Sequence, residues 1–238
     1  MSLAGAQVVV VGASSGMGLA TARRAVDEGA SVTIIARDRD RLEQARESLG
    51  SAVRAVAADA ADEEQVAAAF EPLHEVDHVV VFAGEQPVSP LPDAELGLFR
   101  RAMEARVWGA LLACKYATPK MPSTGSVTFC SGLSAHRPRR DRSIGAAATA
   151  GLESFGRAMA VELAPIRVNT ICPGPIRTPM LERTMGDNRE SATAAINARV
   201  PLGRLGTPEE IADAAVFLMG NGYVTGITLH VDGGMMLL

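Results

Sequence analysis

The chain has little with which to do covalent or redox chemistry. It holds three cysteines, four histidines and two tyrosines in 238 residues. Cys114, Cys130 and Cys172 are odd in number, widely spaced and set among apolar neighbours, so they read as buried free thiols rather than as a disulfide framework or a metal centre. A strongly basic field is also missing: Lys+Arg 23 against Asp+Glu 27 leaves a formal net charge of -4 at pH 7, which argues against a nucleic-acid partner. No apolar run is long enough to span a bilayer, and the first residues show no charged segment leading into an apolar signal core. A cytoplasmic protein with no membrane partner is therefore expected. Repeats and low-complexity tracts are absent too, and the length suits one large α/β domain over 1–238.

What the chain does have is an opening of strand, glycine turn and helix. Gln7–Val11 is an uncharged β-branched run, the signature of a buried parallel strand. Gly12-Ala13-Ser14-Ser15-Gly16-Met17-Gly18 follows, and then the helical spacing of Leu19, Ala22 and Val26. Such a turn offers backbone N–H groups and a helix N-terminus to an anion such as a pyrophosphate, although a plain βα turn would read the same way in isolation. Further strands are expected at Ser31–Ala36, Val53–Ala57, His78–Phe82, Ser126–Cys130, Arg167–Cys172 and Ile227–Val231. Helices are expected at Met17–Glu28, Arg39–Leu49, Glu63–Leu73, Glu95–Tyr116, Gly145–Leu163 and Pro208–Met219. This alternation implies a Rossmann-type, doubly wound parallel sheet in a single α/β domain, with its crevice at the carboxyl ends of the strands.

Several ordered motifs then share one register: Gly12-x3-Gly16-x-Gly18, Asp59 after the third strand, Ala83-Gly84 after the fourth, Arg167-Val168-Asn169, Pro173-Gly174-x3-Thr178 and Val231-Asp232-Gly233-Gly234. Together they resemble the short-chain dehydrogenase/reductases over nearly the whole chain. The resemblance implies an oxidoreductase that passes hydride between a nicotinamide cofactor and a carbonyl or alcohol. It implies that Gly12, Ser14, Ser15, Gly16, Met17 and Gly18 hold the cofactor with Asp59 and Ala60 at the adenine, Ala83 and Gly84 where backbone approaches closely, and Pro173, Gly174, Ile176 and Thr178 at the nicotinamide. The motif usually written Asn-Ala-Gly reads Phe82-Ala83-Gly84. Taken alone, Asp59 could cap the helix beginning near Asp62, and Pro173-Gly174 could be a mere turn. Arg37 follows the second strand where a NAD-preferring member usually places an acid, and a guanidinium suits a 2′-phosphate, so NADP(H) is favoured over NAD(H). The alternative is that Arg37, Arg39 and Arg41 form a solvated helix entrance.

The family's catalytic residues are the ones that fail to appear. Aligned backwards from Val161-Glu162-Leu163-Ala164-Pro165, the resemblance puts Gly145 at the Tyr position, Thr149 at the Lys position, Gly132 at the Ser position and Arg106 at the Asn position. Tyr116 and Lys120 have the Tyr-x3-Lys spacing, but they precede the fifth strand and Pro119 interrupts the helix they would need. Tyr223 is expected at a subunit interface. Ser131, Ser134 and His136 are the candidate substitutes, His136 because an imidazole can act as acid or base, unless it is a solvated loop histidine. Arg106 with Arg137, Arg139, Arg140 and Arg142 could form a cationic mouth for a small anionic ligand, or simply a charge run eased by Asp141. The resemblance further implies a homotetramer or homodimer and a substrate lid over 179–200. Two readings stand: an NADP(H)-dependent oxidoreductase with weak or rearranged chemistry, and a cofactor-binding pseudoenzyme that senses nicotinamide or supports an active relative.

Overall fold

The computed structural model describes residues 2–84 and 88–238. Its β-branched runs become β1 (Gln7–Val11), β2 (Ser31–Ala36), β3 (Arg54–Ala57), β4 (His78–Val81), β5 (Ser126–Cys130), β6 (Arg167–Pro173) and β7 (Thr228–Val231). All pairings are parallel, in the order β3-β2-β1-β4-β5-β6-β7. The chain walks outward from β1 to β3 and returns to place β4 on the other side of β1. Order therefore reverses between β1 and β4, where a crevice opens beyond the carboxyl ends of the strands.

Alternation along β1 shows how two cores arise from one strand. Val8 and Val10 pack against α1 (Gly16–Asp27), α2 (Arg39–Leu49) and α9 (Pro208–Gly220), through Ala22, Leu42 and Ile211 among others. Val9 and Val11 face the opposite side and meet α3 (Glu63–Phe70), α5 (Gly109–Ala117) and α6 (Ser143–Glu162), through Phe70, Ala113 and Leu152. A strand buried on both faces has no polar side to show, which is why β1 reads as an unbroken run of valine. No helix among the described residues is long and apolar enough to cross a membrane.

Two expected helices are corrected. The single helix anticipated over Glu95–Tyr116 is α4 (Leu96–Met103), a π-helical segment at Glu104–Trp108, and then α5. A π turn inserts an extra residue into the helix, and its central residue, Arg106, is buried at 5 % exposure rather than lying on a solvated face. The helix expected to reach Leu73 stops at Phe70 because Pro72 has no N–H to continue it, and the Lys120 ammonium satisfies the carbonyls left at its end, donating to Phe70 O, Glu71 O and Leu73 O at 2.8, 3.0 and 2.7 Å. Over 179–200 lie two short helices, α7 (Pro179–Met185) and α8 (Arg189–Asn197), which wall the crevice with Met180, Leu181, Ala192 and Ile196.

Candidate active site

The β1–α1 turn is shaped by backbone that leaves no room for side chains. Gly12 has φ +86, and a Cβ there would lie 2.7 Å from Ala83 N; a Cβ on Gly18 would run into the Gly12 carbonyl oxygen. Ser15 is the N-cap of α1 with an extended backbone, and its hydroxyl makes no capping bond, so the first N–H groups of the helix open into the turn beside Ser14 and Gly16. Across the mouth, a Cβ on Gly16 would touch Thr178 Cγ2 at 3.3 Å. Thr178 caps α7 by accepting from Leu181 N at 3.3 Å, and Ile176 is bridged to Gly206. Pro173 closes β6, and Gly174 sits where a Cβ would press on the Asp232 backbone at 2.7 Å. Met17, Gly84, Pro173, Gly174, Ile176 and Thr178 line one continuous cleft. A glycine cradle, an uncapped helix start and this crevice fit the pyrophosphate of a dinucleotide.

After β3 the structure separates two neighbouring acids. Asp62, not Asp59, caps α3 by accepting from Gln65 N, while Asp59 Oδ1 accepts from Ala61 N at 3.0 Å. The capping alternative for Asp59 is thereby corrected. Ala60 is buried beneath Gly109. Arg37 lies exposed immediately after β2. Asp38 beside it is engaged in capping α2 through Arg41 N and in pairing with the Arg41 guanidinium at 2.9 Å.

The cleft has a volume of about 1150 Å³, and its deep corner holds small residues where the resemblance calls for large polar ones. Gly132 is extended at φ 175. Gly145 lies in the first turn of α6 with open space around it: the nearest atom a Cβ would meet is Ser134 Oγ at 4.0 Å. Thr149 is buried one turn on, and its hydroxyl donates back to Gly145 O at 2.8 Å and Ala146 O at 3.1 Å. Ser134 Oγ stands 3.3 Å from Thr149 Oγ1. With the Thr149 proton directed at its own helix, Ser134 is the donor in this contact, and its hydroxyl must rotate away from Thr149 to offer a proton to the cleft.

The same face of α6 carries Glu153, four residues beyond Thr149, which sequence reasoning passed over. Glu153 is 3 % exposed. It accepts from Ser131 Oγ at 2.7 Å and lies 2.9 Å from His136 Nε2 through its other oxygen. His136 is thus tied to a buried carboxylate, and the solvated-loop reading is corrected. Ser131 is turned inward on the same carboxylate. The i, i+4 series Gly145, Thr149, Glu153 was the available signal.

Arg106 reaches into the corner from the π segment. Its Nη1 donates to Cys130 O at 2.9 Å and Ser131 O at 3.3 Å, and Nε is buried with no partner among the described residues. Its guanidinium covers Gly84 so closely that a Cβ there would sit 2.8 Å from Nη2. Burial lowers the Arg106 pKa, yet a guanidinium stays protonated. Arg137, Arg139 and Arg142 share the cleft wall with it, and Arg199 on the segment after α8 adds a fifth, missed in the sequence. Arg140 and Asp141, grouped with them in the sequence, are not part of that wall.

The remaining expectations resolve elsewhere. Tyr116 donates to Glu63 Oε1 at 2.9 Å and Lys120 caps α3, so the spaced pair joins α5 to α3 on the outer surface. Tyr223 is fully exposed. All three cysteines are free and buried, and burial pushes the Cys172 thiol up to about 12. Cys172 is nevertheless brought together with His136 and His230, their possible ligand atoms all within 4.8 Å of one another.

Known proteins resemble this chain along its length. A family model described as enoyl-(acyl carrier protein) reductase matches residues 12–236. The chain is 35% identical over 239 residues to cis-4-hydroxycyclohexanecarboxylate dehydrogenase of Sinomonas cyclohexanicum, covering 95% of this chain and 94% of that one. It is 35% identical over 254 residues to 3beta-hydroxysteroid dehydrogenase 1 of Eggerthella lenta, covering 99% and 95%. Among solved structures, a short-chain dehydrogenase/reductase family protein superimposes with a TM-score of 0.92 at 36% identity, covering 100% of both chains. Actinorhodin polyketide ketoreductase with NADPH gives 0.92 at 27% identity, covering 98% of each.

Proposed function

This chain belongs to the short-chain dehydrogenase/reductase family, and we propose that it binds NADP(H) and acts slowly on an anionic carbonyl or alcohol compound without a Tyr–Lys pair. The observation that carries the reading is the cleft wall: Arg106, Arg137, Arg139, Arg142 and Arg199, and no Asp or Glu side chain among the described lining residues. Guanidinium groups hold carboxylates and phosphates through paired charge-assisted bonds. One relative is named for a substrate that bears a carboxylate, cis-4-hydroxycyclohexanecarboxylate. Bound nicotinamide supplies or accepts the hydride. The chain's own residues orient the substrate through arginine, and the Ser134 hydroxyl, once rotated off Thr149 Oγ1, offers its oxygen a hydrogen bond rather than an acidic proton. A positioned acid contributes about 10²–10⁴ in rate, and that factor is what Gly145 and Thr149 forgo. NADP(H) is preferred because Arg37 follows β2 while Asp38 is occupied at the start of α2.

A second reading, a cofactor-binding pseudoenzyme, is favoured by the Thr149 hydroxyl being turned back on Gly145 O. The experiment that separates the two is NADPH and NADH fluorescence titration followed by turnover on matched carboxylated and neutral carbonyl and alcohol compounds. The oxidoreductase reading predicts tighter NADPH binding and turnover confined to the anionic members. Binding with no turnover supports the pseudoenzyme, and binding of neither nucleotide defeats both. The exposed apolar tail at Leu237 and Leu238 accords with a homodimer or homotetramer, which sedimentation would measure.

A further inference from the structure

We propose that His136, Cys172 and His230 form a binding site for one zinc(II) ion at the carboxyl edge of β6 and β7. The site uses none of the residues of the glycine turn, and it adjoins the arginine wall, since His136 lines the same cleft. Its foundation is strand register: Cys172 on β6 is paired directly with His230 on β7. Neighbouring strands run about 4.8 Å apart with paired side chains on the same face, so the backbone fixes a thiol beside an imidazole. His136, just after the short turn that follows β5, completes the group. Its ring meets that of His230 edge to face, with centroids 5.0 Å apart and planes at 70°.

The donor atoms lie within 4.8 Å of one another, whereas ligands on a tetrahedral zinc with bonds of about 2.0–2.3 Å stand about 3.5 Å apart. The difference is within reach of side-chain rotation, because His230 is exposed and the His136 side chain is 30% exposed, while Cys172 stays fixed in its strand. Two imidazoles and a thiolate suit a borderline cation such as zinc and not magnesium or calcium. Glu153 supplies the supporting contact. Its hold on His136 Nε2 at 2.9 Å leaves Nδ1 as the ring atom for the ion, the arrangement in which a carboxylate orients a ligating histidine. His230 has no hydrogen-bond partner among the described residues, so no existing bond must be broken to use it. Ion binding forms three coordinate bonds and releases the Cys172 thiol proton to solvent, with water in the fourth position.

The test uses the full chain, stripped with a chelator and titrated with zinc in competition with a chromophoric chelator, then with cobalt(II). The expected result is one ion per chain and a cobalt adduct with thiolate-to-metal charge-transfer absorption in the near ultraviolet. Cys172→Ala should remove that band. His230→Gln, on the surface and harmless to the core, should abolish stoichiometric uptake, and Glu153→Gln should weaken uptake by about 10–100-fold. Absence of uptake by the unaltered chain, an adduct without the thiolate band, or undiminished uptake by His230→Gln would each overturn the proposal.

Discussion

Two glycine-bearing corners of one cleft differ in why glycine is there. At Gly12 and Gly18 the backbone just after β4 and of the turn itself occupies the space a Cβ needs; glycine is imposed by the close approach of chain to chain. At Gly145 a Cβ would meet nothing nearer than 4.0 Å. The first corner is closed by backbone packed against backbone, and the second is open in a way that packing does not require. Small residues can therefore mark either a built site or one from which side chains are missing, and only the surrounding distances tell the two apart.

The contrast is most sharply broken at Gly12. Gly12→Ala must adopt a positive φ and press on Ala83, so NADPH binding should be lost in a fluorescence titration, with about 1–3 kcal/mol of stability lost in denaturant unfolding. Retained NADPH affinity would mean the turn is not the cradle described. A control far from both corners comes next. Burial lowers the His78 pKa from 6.5 to about 4, and its Nδ1 lies 2.8 Å from Ser126 Oγ. The fold binds fewer protons there than the unfolded chain, so stability is full above pH 6.5 and falls by about 3 kcal/mol as the pH drops to 4. His78→Asn should flatten that window of the pH–stability curve, and an unchanged slope would contradict the assignment.

Arg106→Met tests the open corner. Affinity for a carboxylated substrate should weaken about 10–100-fold, as loss of a charged hydrogen bond of about 1.5–3 kcal/mol implies, while thermal stability holds or rises because a buried cation with no acidic partner among the described residues is removed. Equal losses for charged and neutral compounds would point to general disruption. The smallest effect is Gly145→Ala, which should add about 0.5–1 kcal/mol by stiffening the first turn of α6. A loss of stability comparable to that of Gly12→Ala would erase the distinction between the corners.

Most of this architecture was legible in the sequence because it rests on local pattern. Valine runs gave the strands, the glycine spacing gave the turn, and the Pro-Gly motif gave the edge of β6. What escaped depended on tertiary placement. Glu153 reads as one more helical acid until Ser131 and His136 arrive from β5, and Cys172 meets His230 only through the register of strands 58 residues apart in the pairing. Arg199 joins the wall because α8 folds over the cleft. The π turn that buries Arg106 has no compositional mark, so the helix was expected to run through it. Conversely, Tyr116 and Lys120 match a catalytic spacing yet tie two surface helices together, since spacing alone does not say which way a helix faces.

The central claim is that the dinucleotide cradle is intact and the proton-transfer residues beside it are absent. Its most direct test is to install Gly132→Ser, Gly145→Tyr and Thr149→Lys together, then measure NADPH affinity and carbonyl reduction side by side with the unaltered chain. The account predicts the same NADPH affinity and a rate raised by about 10²–10⁴. A folded triple variant that binds NADPH equally well and reduces nothing faster would contradict it.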